Sequence, residues 1–202
     1  MTSHTSRPDI ARSLNCDGRY AAGLLLCAAL LLAPLAGGEP LQALWRYERA
    51  AVAAGQWWRL LTAHVVHLDA QHALLNCVGL ALLWALFARS YRLTQWLWAL
   101  GITILTIDLG FWFISTGLQW YVGASAMLHG VFACGCIALI RRRDPVGIIA
   151  GLIFVAKLAW EQWQGPLPFE TEHPVVTVSH AYGALGGAVA GLLLRQRGDQ
   201  LY

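Results

Sequence analysis

This chain is short of charge. Asp, Glu, Lys and Arg make up 12% of its 202 residues, against about 25% in a soluble globular domain. Cysteine is scarce outside apolar surroundings. Of Cys16, Cys27, Cys77, Cys134 and Cys136, four lie in apolar stretches and one in the N-terminal tail, a pattern that predicts no disulfide. Cys134 and Cys136 are separated by one residue, so on a helix they point in different directions and read as small apolar filler rather than a metal clamp. The formal charge is only +3 and the basic residues are scattered, which excludes a nucleic-acid-binding face. What remains is apolar: 57% hydrophobic residues with ten tryptophans, and a mean hydropathy of +0.52. A polytopic, all-α membrane protein follows, with the lipid bilayer as its solvent.

Six apolar segments can be marked: Tyr20–Ala36, His72–Phe87, Leu93–Ile114, Ala124–Ile140, Val146–Trp160 and Val175–Leu194. A full crossing takes about 20 residues, with about 17 as the lower limit, so the second and fifth read as short. Six crossings from an internal N-terminus place Arg7, Arg12, Arg19, Arg89, Arg92, Arg141, Arg142, Arg143, Arg195 and Arg197 in the cytoplasm, and only Arg46, Arg49 and Arg59 outside. That bias obeys the positive-inside rule and puts both chain ends in the cytoplasm. The division is then a basic tail over 1–19, a membrane domain over 20–195 and a second tail over 196–202. A cleaved signal peptide in place of the first span is the alternative left by the "LAPLAGG" stretch. The loop from Gly37 to Gln71 mixes Trp45, Tyr47, Trp57 and Trp58 with Arg46, Arg49 and Arg59, and reads as a structured loop in the outer lipid interface.

Ionisable and polar groups inside spans are costly and therefore suspect. Here they are His72, Asn76, Asp108, Ser125, His129, Lys157, Glu161 and His180, and the topology places nearly all of them in the outer half of the membrane. Ser125 follows "VGA" at the start of a span, where free backbone N–H groups favour developing negative charge. A serine becomes a nucleophile through a base, usually histidine. His180 opens the sixth span at matching depth and shares a face with Gly183, Gly187 and Gly191, small residues that let helices pack closely. The blander reading is a pair of groups that only bond neighbouring helices. His72 and Asn76, at i and i+4, share one face and could donate to an oxyanion or simply cap their span. His64, His67 and His72 form H-x2-H-x4-H, which admits a metal reading; His67 reads better as a loop brace. Lys157 and Glu161, also i and i+4, read as a snorkelling ion pair, with substrate contact as the minority view. Asp108 pairs with a loop arginine or orients a site histidine.

The stretch "WWRLLTAHVVHLDAQHALLN", then "GAS" and later "HAYG", resembles the rhomboid intramembrane serine proteases. The match runs in family order from about Trp45 to Gly191. The "LHG" after the serine, and the segment before the second span, look more like the rhombosortase branch. The resemblance implies a six-helix bundle in the bacterial inner membrane with its active site opening to the periplasm. Ser125 would be the nucleophile, His180 the general base, and His72 and Asn76 with the Ser125 N–H the oxyanion hole. Gly123, Gly183 and His67 would be supporting residues. The implied substrate is a membrane-anchored protein carrying a C-terminal GlyGly-type sorting tail, and the implied mechanism is a Ser-His dyad with no metal or other cofactor. General rhomboid proteolysis, an inactive rhomboid-like binder and a metal-dependent membrane hydrolase are the alternatives. Two positions depart from the family pattern. Ala126 stands where glycine usually follows the serine, which would strain a site that needs positive φ. His129 stands where a tyrosine usually packs under the catalytic histidine, and is expected to support His180 in its place or to act as a second imidazole.

Overall fold

A computed structural model of the chain describes residues 14–166 and 175–195; the two chain ends, and part of the segment before the last span, lie outside the described residues. Helix α1 (Ala21–Leu32) passes through a 3-10 turn at Ala33–Gly37 into α2 (Gly38–Trp45). Two short helices follow, α3 (Arg49–Ala53) and α4 (Arg59–Thr62). Then come α5 (Ala70–Phe87) and α6 (Leu93–Leu109), the latter ending in a π-helical turn at Gly110–Ile114. The last three helices are α7 (Ser125–Arg141), α8 (Pro145–Gln164) and α9 (Thr177–Leu193). Two strands of two residues each, β1 (Tyr47–Glu48) and β2 (Trp120–Tyr121), pair antiparallel and tie the first loop to the segment before α7.

Among the described residues, four stretches are long and apolar enough to cross a membrane: Ala21–Trp45, Ala70–Phe87, Leu93–Ile114 and Pro145–Gln164. The second and fifth spans are thus not short, as the hydropathy of the sequence suggests. Each gains polar residues at its ends, because Asp69 caps α5 by accepting from the His72 N–H and Asp144 caps α8 by accepting from the Val146 N–H. The short helices are α7 and α9, with 17 residues each and no π-helical extension like the one that lengthens α6. Both are enclosed by the bundle, and α7 buries nine residues, most of them small.

The bundle is organised as lipid requires. Large apolar side chains point outward, as with Leu25, Trp98 and Leu192. Small ones face inward, where backbones can approach. The α7–α9 contact is the closest. A Cβ added at Gly183 would lie 1.9 Å from the Ala126 carbonyl oxygen, and one at Gly187 would lie 1.9 Å from that of Gly130. Gly191 faces Ile137, while Gly186 packs on Thr103 and Thr106 of α6. Helix α9 is therefore held between α6 and α7 at backbone distance.

The first loop is structured, and its arginines are bonded within the protein. Arg59 is buried and donates to the Ala43 and Arg46 carbonyls, each at 2.8 Å, and to Gln56 Oε1 at 2.7 Å. Arg49 reaches across to the carbonyls of Phe111 and Trp112, which the π-helical turn leaves open. Arg46 pairs with Glu48. Trp57 and Trp58 stay exposed, as interfacial aromatics do. At the opposite end, Arg89 pairs with Asp17, Arg142 donates to the Ser90 carbonyl, and Arg141 donates to the last carbonyls of α9. The first and last described residues therefore lie at the same end of the bundle, the one that collects the basic residues.

Candidate active site

The segment before α7 is built so that Ser125 begins the helix at the mouth of a cavity. Gly123 has φ +121°, and a Cβ there would come 2.8 Å from His72 Cε1, so both the turn and the neighbouring ring require glycine. Its N–H donates to the Ala63 carbonyl, and its own carbonyl accepts from the Tyr121 hydroxyl at 2.8 Å. Burial pushes the Tyr121 hydroxyl up to about 12, so it stays protonated and remains a donor. Ala126 lies inside α7 and is not among the positive-φ residues. The strain that an alanine after the serine could cause does not arise, because the left-handed position falls at Gly123. Ala126 is fully buried against α9 instead.

Ser125 Oγ lies 3.0 Å from His180 Nε2. The glycine contacts of α9 bring these atoms together, and Ser179 steadies the start of that helix by donating to the Val176 carbonyl at 2.6 Å. His129, one turn below Ser125, stacks on His180 with ring centroids 4.0 Å apart and planes 5° from parallel. Its Nδ1 meets the Ser125 carbonyl at 2.7 Å. That oxygen can only accept, so His129 carries a proton on Nδ1 and leaves Nε2 as an acceptor.

Lys157 and Glu161 depart from the reading as a lipid-facing pair. Glu161 has no exposed side-chain surface, and its oxygens lie 3.0 and 3.1 Å from His180 Nδ1. Lys157 bonds Glu161 Oε1 and meets His129 Nε2 at 2.7 Å, with His180 Nδ1 at 3.5 Å. Two charges, two imidazoles and one hydroxyl thus form a single network. A sequence cue existed: Lys157 is the chain's sole lysine, and it stands in an apolar span.

His72 and Asn76 line the same cavity as Ser125 and His180. Asn76 Nδ2 donates to the His72 carbonyl at 3.0 Å; an amide nitrogen has a second N–H to offer. His67 braces this pair by contact rather than by ring hydrogen bonds. Its ring packs edge-on against His72 with centroids 5.0 Å apart, and its carbonyl accepts from Gln42. Burial, with His72 as the second cause, holds the His67 imidazolium down to about 4, so the brace is neutral at physiological pH. His64 turns away to Asp108, at 3.5 Å, which settles Asp108 on neither a loop arginine nor Ser125's histidine. The H-x2-H-x4-H triplet is therefore dispersed. Among the described residues, the grouping with metal-ligand geometry is His129, Glu161 and His180, whose donor atoms lie within 4.8 Å of one another. Lys157 puts an ammonium among those donors, a fit for a fixed cation rather than a divalent metal.

The cavity has a volume of about 820 Å³. Its polar end holds Ser125, His180, His72 and Asn76. Its apolar length runs between α5 and α8, past Gly79 and Leu82 on one wall and Ile153 on the other, over Phe132 of α7.

An apolar helical bundle that holds a hydroxyl against a carboxylate-backed imidazole, at the end of an apolar groove, defines a polytopic membrane protein with a buried serine–histidine site. The family model described as the rhomboid domain matches residues 54–197, and the chain belongs to the rhomboid family. It is similar to "Putative rhomboid protease YdcA" of Bacillus subtilis (strain 168), at 23% identity over 152 residues, covering 75% of this chain and 74% of that protein. No solved structure matches this chain.

Proposed function

We propose that this protein is an intramembrane serine protease of the rhomboid type, with Ser125 as nucleophile and His180 as general base. The observation that carries this is the 3.0 Å contact between Ser125 Oγ and His180 Nε2 at the polar end of the cavity, in a chain of a family whose members include proteases. A substrate segment enters between α5 and α8 and unwinds at the polar end. Ser125 Oγ attacks the exposed carbonyl as its proton passes to His180 Nε2. The Ser125 N–H, His72 and Asn76 then face the developing oxyanion, where losing one such donor costs about 3–4 kcal/mol of transition-state stabilisation. His180 returns the proton to the departing amine, and a water activated by the same ring frees the acyl-enzyme.

The resemblance to rhombosortases further suggests a C-terminal GlyGly-type tail of an exported protein as substrate, and a bacterial inner-membrane setting. The clustering of arginines at the end that holds both described chain ends favours that end as cytoplasmic, which opens the site to the periplasm. Co-expression with an exported protein bearing such a tail, followed by mass analysis of its C-terminus, tests the reading. Wild type releases the tail and Ser125→Ala does not. Release by Ser125→Ala overturns the serine mechanism. An intact tail, together with cleavage of other membrane proteins, keeps the protease and removes the sorting specificity.

A further inference from the structure

We propose that Glu161 is a positioning residue for His180, so that the site works as a Ser125–His180–Glu161 triad with Lys157 holding the carboxylate; this deepens the protease reading above and rests on it. The argument begins with burial. A carboxylate with no exposed side-chain surface is strongly unfavourable unless it is paired and hydrogen-bonded. Glu161 has both kinds of partner: the Lys157 ammonium on Oε1, and His180 Nδ1 within 3.1 Å of both oxygens.

The protons of the whole network can be assigned from donor and acceptor rules alone. A carboxylate accepts, so His180 carries its proton on Nδ1. Its Nε2 then presents a lone pair to the Ser125 hydroxyl, 3.0 Å away, which is the tautomer a general base needs. Nδ1 of His129 donates to the Ser125 carbonyl, and its Nε2 accepts from Lys157. Each contact of 3.1 Å or less in this assignment joins a donor to an acceptor; the longer 3.5 Å approach of the Lys157 ammonium to His180 Nδ1 brings two donors together over the Glu161 oxygen they share. Reversing His180 would set its Nδ1 lone pair against the Glu161 carboxylate, and reversing His129 would set its own against the Ser125 carbonyl. A lysine–glutamate pair placed only to neutralise a span would need neither ring.

In the reaction, the Ser125 Oγ–C bond forms as the carbonyl π bond becomes the oxyanion, and the Ser125 proton moves to His180 Nε2. The Nδ1 proton stays in place, shared with Glu161, while the ring is cationic. Collapse of the oxyanion breaks the C–N bond, and the Nε2 proton leaves with the amine. Glu161 neither gains nor loses a proton. It fixes the tautomer beforehand and faces the imidazolium during the step. His129 holds the ring from beneath, and Lys157 keeps Glu161 aimed upward from one helical turn away.

Glu161→Gln keeps the shape and can donate to Nδ1, which selects the unproductive tautomer. The full-length protein in micelles is expected to lose roughly 10³–10⁴-fold in kcat, the scale of a mis-set triad tautomer, with KM for a tail peptide unchanged. The 15N NMR spectrum gives a readout independent of turnover. Wild-type His180 should show the Nδ1–H tautomer at rest, and Glu161→Gln should convert it to Nε2–H. The wild-type spectrum needs no substitution, so the test survives a variant that fails to fold. An Nε2–H tautomer in wild type, or a Glu161→Gln protein whose Ser125 reacts with a fluorophosphonate at the wild-type rate, overturns the inference while leaving the protease intact. A wild-type protein whose Ser125 neither reacts with the probe nor cleaves overturns the protease reading itself, and the triad with it.

Discussion

The glycine contact between α7 and α9 can be probed by a single methyl group. In Gly183→Ala, the new Cβ falls 1.9 Å from the Ala126 carbonyl oxygen. Carbon–oxygen contacts settle at about 3.3 Å or more, so the two backbones must part locally by about 1.4 Å. Backbone, unlike the far end of a side chain, cannot swing aside. Gly183 is one turn below His180, and Ala126 is next to Ser125, so the separation acts almost directly on the reacting pair. Starting at 3.0 Å, it takes Ser125 Oγ and His180 Nε2 out of hydrogen-bonding range. Overpacking of this kind costs about 1–3 kcal/mol, and a misplacement of about 1 Å at reacting atoms costs about 100-fold in rate. The assay is the rate at which a fluorophosphonate modifies Ser125 in detergent micelles, with Ser125→Ala as the blank and thermal unfolding measured in parallel. Gly101→Ala is the control, since nothing lies within 4 Å of its added Cβ. It should leave the rate unchanged and add up to about 1 kcal/mol of stability from helix propensity. A folded Gly183→Ala protein that reacts as fast as wild type would refute the claim that backbone contact sets the serine–histidine distance.

Four other outcomes follow from the geometry. His180→Ala should lose at least about 10³-fold in cleavage, whereas His129→Phe, which keeps a ring beneath His180, should lose far less; the reverse order in a cleavage assay would exchange their roles. Gly123→Ala should destabilise by about 1–3 kcal/mol, because its left-handed φ and the His72 ring both oppose a side chain; thermal unfolding reads this. Arg59→Met should cost about 2–4 kcal/mol by stranding the Ala43 and Arg46 carbonyls, and Arg59→Lys should recover only part of it, as denaturation in micelles would register. A chelator should leave cleavage unchanged, since Lys157 stands among the ligand-like donors, and loss of activity reversed by added zinc would restore the metal reading.

The outline of the bundle was legible because hydropathy sees lipid. A bundle of apolar helices, the long first loop and the glycine face of α9 all follow from which residues tolerate hydrocarbon and which let backbones touch. Span ends were less legible, because hydropathy stops at the first polar residue and a capped helix does not. Reading the fifth span as ending at Trp160 left Glu161 at a boundary, where a carboxylate looks solvated. The helix continues to Gln164 and turns that residue inward. Spacing alone makes Lys157 and Glu161 a pair; only the packing of α9 against α7 and α8 gives that pair a histidine to hold. The bonds of the loop arginines were hidden for a related reason. Composition beside tryptophan suggests lipid headgroups, but the open carbonyls at Phe111 and Trp112 are products of a π-helical turn that no local sequence rule announced. Likewise, Ala126 looked strained until the backbone located the left-handed turn at Gly123.

Helix α8 has two duties that cannot be separated. It forms one wall of the groove that runs to Ser125, and it supplies the carboxylate that faces His180. An outward tilt that widened the passage would lengthen the Glu161–His180 contact by the same motion and relax the imidazole while the door stood open.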